Sequence, residues 1–300
     1  MKHLIAMSLI LLGLAAPAAR AALNVLSCEP EWAALAQELG GDLVEVSSAT
    51  TALQDPHHIE ARPSLLARAR RADLLICTGA ELETGWLPLL QREAGNARIQ
   101  PGQPGYFEAA RFARIIERPT ALNRAQGDVH AAGNPHLHLD PRNIARVADG
   151  MAKRLADLDP ANGARYAQRN ADFQGHWAAA MARWEQQGAR LRGAPVVVHH
   201  RNLSYLVDWL GLAVIGELEP KPGMEPTAGH LAELLETLKA TPARMVLRAA
   251  YESPKASAWL ASRANIPAME LPYTVGGSPG AKDLLGLFDD TLNRLLQAAP

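Results

Sequence analysis

Short runs rich in Val, Leu and Ile recur along the chain, and between them apolar residues return every three or four positions. The runs predict strands at 23–27 (LNVLS), 43–48 (LVEVSS) and 72–78 (ADLLICT), then at 194–199 (APVVVH), 212–218, 243–249 and 267–272. The amphipathic stretches predict helices near 30–40, 63–71 and 84–93 in the first half, and near 202–210, 227–240, 254–264 and 281–298 in the second. Strand followed by helix at this period implies an α/β fold, with parallel sheets covered by helices on both faces.

The middle of the chain breaks that rhythm. From Pro160 to about Arg192 there is no strand signal, only Ala, Gln, Arg, Trp and Glu at helical spacing, with Gly175 inside. One helix of roughly 25–30 residues would be ~40 Å long, which suits a bridge between two lobes. A helical hairpin broken at Gly175 is the alternative. The organisation expected is a signal peptide over 1–21, an N-terminal α/β lobe over 22–158, a linking helix over 159–192 and a C-terminal α/β lobe over 193–300.

Composition narrows the class. Lys2, the apolar run LIAMSLILLGLAA and the small-residue site Ala19-Arg20-Ala21 read as an export signal. No later segment reaches the eighteen or so uninterrupted apolar residues of a membrane span. Removing Lys2 and Arg20 takes 30 basic and 31 acidic residues to 28 and 31, a formal charge of −3, which is no footprint for nucleic acid. The remaining ~280 residues exceed one ordinary core and suit two domains. The two cysteines, Cys28 and Cys77, follow strand-like runs in a compartment that permits disulfides. They are read either as a bridge between neighbouring strand ends or as two buried thiols. VLSC also resembles a lipoprotein acylation box, although Arg20 and the LNV run separate it from the apolar signal core.

Histidine supplies the candidate chemistry. Seven of the nine histidines beyond residue 21 fall in three loop clusters: QDPHHIE with His57 and His58, VHAAGNPHLHLD with His130, His136 and His138, and VVVHHRN with His199 and His200. His199 and His200 directly follow a strand, His57 lies between a strand and a helix, and His136 precedes the helix opening at Pro141. In open parallel sheets these are the loops at which ligands bind. Imidazole suits zinc, copper, iron or nickel better than manganese or magnesium, and three neutral imidazoles plus an oxygen donor make an ordinary zinc site. His176 and His230, alone on predicted helices, read as structural or solvated residues.

At these motifs the chain resembles the periplasmic solute-binding proteins of zinc and manganese ABC transporters, the zinc-uptake branch in particular. The segments that carry the likeness are DPHHIEARPSLLARARRADLLICTG, NPHLHLDP, VVVHHRNLSYLVDWLGL and EPKPGMEPT, and it covers essentially the whole chain beyond the signal. The resemblance implies two α/β lobes joined by one long backbone helix, with a metal site in the cleft between them. It also implies a monomer that captures Zn2+ in the periplasm and presents it to an ABC permease in the cytoplasmic membrane. The metal ligands it implies are His57, His136 and His200, with His58, His138, His199, Glu60 and His130 as second choices. Many members place an aspartate after the last strand, where this chain reads AMELPYTVGG. Leu271 takes that position with Glu270 beside it, so the fourth donor is left to water, Glu60 or a second histidine of a doublet. The loss of a carboxylate favours zinc over manganese.

Two other readings remain. A zinc chaperone or adhesin would use the same scaffold without a permease. A zinc hydrolase would need a general base near a metal-bound water, but HExxH, HxHxD and GxSxG are absent and Glu60 is the only nearby candidate in sequence. The expectation is therefore a binding protein and not an enzyme.

Overall fold

The computed structural model describes residues 22–120, 127 and 130–298; the export signal expected at 1–21 lies outside them. Two four-stranded sheets, each wholly parallel, form the frame. The first contains β1 (Leu23–Ser27), β2 (Val44–Ser48), β3 (Leu74–Cys77) and β4 (Tyr106–Glu108), in the order β2-β1-β3-β4. The second contains β5 (Pro195–Val198), β6 (Ala213–Glu217), β7 (Met245–Ala249) and β8 (Ala268–Leu271), in the order β6-β5-β7-β8. Leu74 to Cys77 are all buried, as are Val196 to Val198, because a parallel strand covered on both faces must be apolar on both. β4 escapes the apolar pattern: it is a three-residue edge strand behind the QPGQPG turn, too short to show alternation.

The helices of the first lobe are α1 (Pro30–Gly40), α2 (Pro63–Arg71), α3 (Leu87–Ala94) and α4 (Pro141–Leu158). Those of the second are α6 (Ser204–Leu210), α7 (Ala228–Ala240), α8 (Pro254–Ala264) and α9 (Leu284–Ala298). Between them runs α5 (Gly163–Gly188), unbroken for 26 residues and so ~39 Å long. Gly175 does not interrupt it: a Cβ there would meet nothing, and one glycine costs a helix only about 1 kcal/mol. The buried residues Tyr166, Phe173, Trp177, Ala180, Trp184 and Gly188 fall on one stripe. Trp177 and Trp184 pack edge-to-face 5.1 Å apart, and Phe288 of α9 lies 5.6 Å from the first and 5.0 Å from the second. Trp177 Nε1 also donates to the Pro141 carbonyl at the start of α4. One continuous core thus runs from the first sheet through α5 to the second.

Cys28 and Cys77, just beyond β1 and at the end of β3, are joined in a disulfide with Cα atoms 4.8 Å apart. Both are fully buried, and Cys28 of the VLSC segment is taken up in this bridge. Beside the bridge the carboxyls of Glu29 and Glu83 are buried together. Glu83 accepts from the backbone N–H groups of Thr78 and Gly79, and Glu29 from those of Thr78 and its hydroxyl. Burial pushes the Glu83 carboxyl up to about 7. Glu29 is driven well above the usual carboxylate range, by burial first and then by the charge of Glu83. Burial and the mutual repulsion of the two carboxylates therefore favour the protonated form of the Glu29–Glu83 pair. No described helix is long and apolar enough to cross a membrane.

Candidate metal centre

The carboxyl ends of the two sheets face each other across a cleft, and three histidine loops meet there. His57 sits in the loop after β2, held by Trp86 Nε1, which donates to the Pro56 carbonyl at 2.8 Å, and by Arg68, which donates to the Ser48 carbonyl. Gly85 lets the chain pass close to that loop, since a Cβ there would lie 3.0 Å from the His57 carbonyl oxygen.

The GNPH segment places His136. Gly133 has φ +104, a conformation closed to other residues, with Ile115 and Ile116 packed against it. The Asn134 carbonyl oxygen of the side chain accepts the His136 backbone N–H at 2.9 Å, while its amide donates across the cleft to the Arg201 carbonyl at 2.8 Å. Tyr205 of α6 donates its hydroxyl to the Asn134 backbone carbonyl. Asp140 caps α4 and holds Arg142 with both oxygens. His200 follows β5 at the end of the second sheet.

The rings of His57, His136 and His200 converge. Their centroids are 5.2 Å apart for His57 and His136, 5.6 Å for His136 and His200, and 6.3 Å for His57 and His200. Three imidazoles sharing one tetrahedral zinc at ~2.0–2.1 Å place their centroids roughly 5 Å apart. The widest gap, across the two lobes, exceeds that by roughly 1 Å.

In each ring Nδ1 is already engaged. His57 Nδ1 lies 2.7 Å from Asp55 Oδ1, His136 Nδ1 2.6 Å from the Tyr273 hydroxyl, and His200 Nδ1 2.7 Å from Glu219 Oε2. A carboxylate partner makes Nδ1 the donor, which leaves the Nε2 lone pair for a cation. Burial, with His57 and His200 nearby, pushes the His136 imidazolium well below its usual range, so this ring is neutral. Burial also works against protonation of His200, but the hydrogen bond and charge of Glu219 outweigh it and raise the net value. At Asp55 burial acts upward, yet His57 holds the carboxyl below its ordinary range.

The other sequence candidates divide. His130 stacks on His57 at 5.4 Å and lines, with Glu117, Asn134 and His136, a cavity of about 60 Å³ that also touches His200. His138 turns the other way. It lies in a 3-10 turn (Leu137–Leu139), fully buried, with Nε2 donating to the Tyr273 carbonyl. Its Nδ1 is 3.2 Å from Glu31 Oε1 but not aligned for a hydrogen bond. His58 and His199 line a second cavity. Glu60 is the clear miss: its side chain is 82% exposed and pairs with Arg62, because it leaves the loop on the solvent side. Glu270 pairs with Arg248, and Leu271 is buried in the core, so neither reaches the cleft. Cys28, Cys77 and Glu83 form a tighter group of donor atoms than the histidines, but its two sulfurs are bonded to each other.

Sequence reasoning overlooked Asp55, Glu219 and Tyr273, the oxygen partners of the three rings. Asp55 stood two residues before His57 and Glu219 just past a strand end, signals strong enough to have been used. Tyr273 bore no signal, since 137 positions separate it from His136.

The sequence matches the family described as zinc-uptake complex component A, periplasmic (ZnuA), over residues 25–298. It is 28% identical over 312 residues to the high-affinity zinc uptake system protein ZnuA of Paracoccus denitrificans, an alignment covering 96% of this chain and 94% of that one. It is also 28% identical over 144 residues to a manganese ABC transporter substrate-binding lipoprotein of Streptococcus gordonii, but that match spans only 44% of the relative's length and 48% of this chain. A crystal structure of ZnuA shares the fold with a TM-score of 0.75 at 24% identity, covering 93% of this chain and all of that one.

Proposed function

The chain belongs to the periplasmic zinc-uptake component A family, a family of substrate-binding components, and on that premise we propose that it captures Zn2+ and delivers it to the permease of an ABC importer. His57, His136 and His200 hold the ion through Nε2, and residues 22–158 and 193–300 act as the two jaws, joined by 159–192. The observation that carries this reading is the common engagement of Nδ1 in all three rings at 2.6–2.7 Å, which leaves three Nε2 lone pairs free for a cation in rings whose centroids lie 5.2–6.3 Å apart. For His136 it requires that Nδ1–H donate to the Tyr273 oxygen.

Water in the cavity beside His130 and Glu117 supplies the fourth donor; about 60 Å³ is enough for one or two molecules. Nitrogen donors without a first-contact carboxylate favour zinc over manganese. Closing the roughly 1 Å excess between His57 and His200 needs only a small movement of the lobes, consistent with a stiff α5 between them. The protein is exported by its N-terminal segment and works as a monomer, without catalysis.

Zinc titration followed by thermal unfolding tests the proposal. Ligand at a thousandfold excess over Kd adds about 4 kcal/mol of stability, and His57→Ala, His136→Ala and His200→Ala should each remove most of it. Wild-type stabilisation in any of the three refutes the ligand set.

A further inference from the structure

The turn after β8 belongs to the second lobe, yet Tyr273 and Thr274 are seated among buried residues of the first. The Tyr273 hydroxyl meets His136 Nδ1 at 2.6 Å, and the Tyr273 backbone carbonyl accepts from His138 Nε2 at 2.9 Å. The Thr274 hydroxyl donates to Glu31 Oε2 in the first turn of α1. Glu31 Oε1 in turn faces His138 Nδ1 at 3.2 Å. Behind these contacts the turn closes on itself, with the Gly277 N–H donating to the Thr274 carbonyl and the Gly276 N–H to the Ala281 carbonyl. Tyr273 and Thr274 therefore move together.

Glu31 is fully buried on α1 between the core and Trp32. A carboxyl in such a place is costly unless a donor meets it, and a hydroxyl donating to a carboxylate makes one of the stronger hydrogen bonds. The donor comes from the other lobe, 243 positions away in sequence. That bond exists only while the turn is seated, and the seated turn is also what sets the Tyr273 oxygen against His136. The phenol oxygen lies at the far end of a rigid ring, so a small tilt of the 273–274 peptide is enlarged there. Fixing the peptide on both sides, by His138 at the carbonyl and Glu31 at the next side chain, suppresses that tilt.

We propose that Glu31 and Thr274 are positioning residues for the metal ligand His136: by seating the turn they hold the phenol oxygen that keeps the ring proton on Nδ1 and leaves the Nε2 lone pair open to the ion. The inference rests on the metal-capture reading for what Nε2 binds, while the seating itself holds in the metal-free protein. It makes a first-lobe ligand depend on the second lobe. Separating the lobes withdraws Tyr273 from His136 as well as His200 from the ion, so both losses act on the bound metal together.

Two measurements test this: zinc affinity by chelator competition, and the ¹⁵N imidazole spectrum of the metal-free protein, which reports the His136 tautomer. Thr274→Val keeps the shape and removes the hydroxyl; Glu31→Leu cuts the same contact from the other side. Each should weaken zinc binding about threefold or more, within the range for loss of a partner behind a metal ligand, and convert His136 from the Nδ1–H tautomer to a mixture. Thr274→Ser should restore both readouts. In a Tyr273→Phe background neither substitution should add its full effect, because groups acting through one contact are not additive. An unchanged tautomer in Thr274→Val and Glu31→Leu overturns the inference. So does wild-type affinity in both when His136→Ala has lost it, or an effect that adds in full to Tyr273→Phe. A tautomer shift in Thr274→Val with zinc binding indifferent to His136→Ala would instead refute the ligand set while supporting the positioning.

Discussion

Glu219→Gln isolates what an oxygen partner does for a metal-binding imidazole. Glu219 Oε2 lies 2.7 Å from His200 Nδ1, and both side chains are largely out of water, at 14% and 13% exposure. The carboxylate fixes the ring orientation, makes Nδ1 the donor and adds electron density at Nε2. Removing such a partner typically weakens metal affinity 10–100-fold, or about 1.4–2.7 kcal/mol.

The effect has a pH signature. Burial pushes the His200 imidazolium down and Glu219 more than reverses it, so in the metal-free protein His200 keeps its proton to a higher pH than an ordinary histidine. That proton competes with zinc. In Glu219→Gln burial is opposed only by the smaller effects of the Glu252 and Asp55 charges, and the competing proton leaves at lower pH. The affinity deficit should therefore be largest near pH 8 and shrink as pH falls toward 5. Competition against a chromophoric chelator at pH 5.5, 6.5 and 7.5 measures it. Asp55→Asn serves as the control: the Asp55 side chain is 41% exposed, so its loss should fall near the tenfold end of the range. Unchanged affinity in Glu219→Gln, or a deficit that grows toward acid pH, would refute the reasoning.

Tyr273→Phe leaves His136 Nδ1 buried without a partner, which should cost about 1–3 kcal/mol of stability and roughly tenfold in zinc affinity; denaturant unfolding and the same chelator competition measure the two. Cys28→Ser/Cys77→Ser opens a bridge between residues 49 apart in sequence and should lower unfolding free energy by roughly 2–4 kcal/mol, while the zinc site, built from other loops, keeps its affinity. For Glu29 and Glu83 the folded state favours the protonated carboxyl, so their stabilising contribution is complete below pH 4.5 and is lost as pH rises through the raised values of the pair, about 7 for Glu83. Glu29→Gln keeps a donor toward Glu83 without the charge. It should flatten the pH dependence of metal-free stability between pH 5 and 8, by roughly 1–3 kcal/mol at the upper end; an unchanged slope would show that the pair carries no such linkage.

Much of this molecule is legible in its residues taken in order. The Val/Leu/Ile runs mark seven of the eight strands: β1, β3, β5 and β7 because a central parallel strand covered on both faces is largely apolar, and the edge strands β2, β6 and β8 through their aliphatic residues although they are only partly buried. The stripe from Tyr166 to Gly188 marks the linking helix, and the three histidine clusters mark the ends of the sheets. Local periodicity reports burial, and burial is what forms these elements.

The partnerships were decided only when the chain closed on itself. His136 and His138 stand two positions apart in one motif, yet the 3-10 turn at Leu137–Leu139 sends one ring into the cleft and the other into the core against Tyr273. Glu60 and Asp55 flank His57 almost equally in sequence, but only Asp55 curls back to its ring. Glu219 and Tyr273 reach their histidines from neighbouring strands and a distant loop. Hydrogen bonds and ion contacts depend on ångström distances between side chains brought together from far along the chain, and no pattern within a single segment encodes those distances.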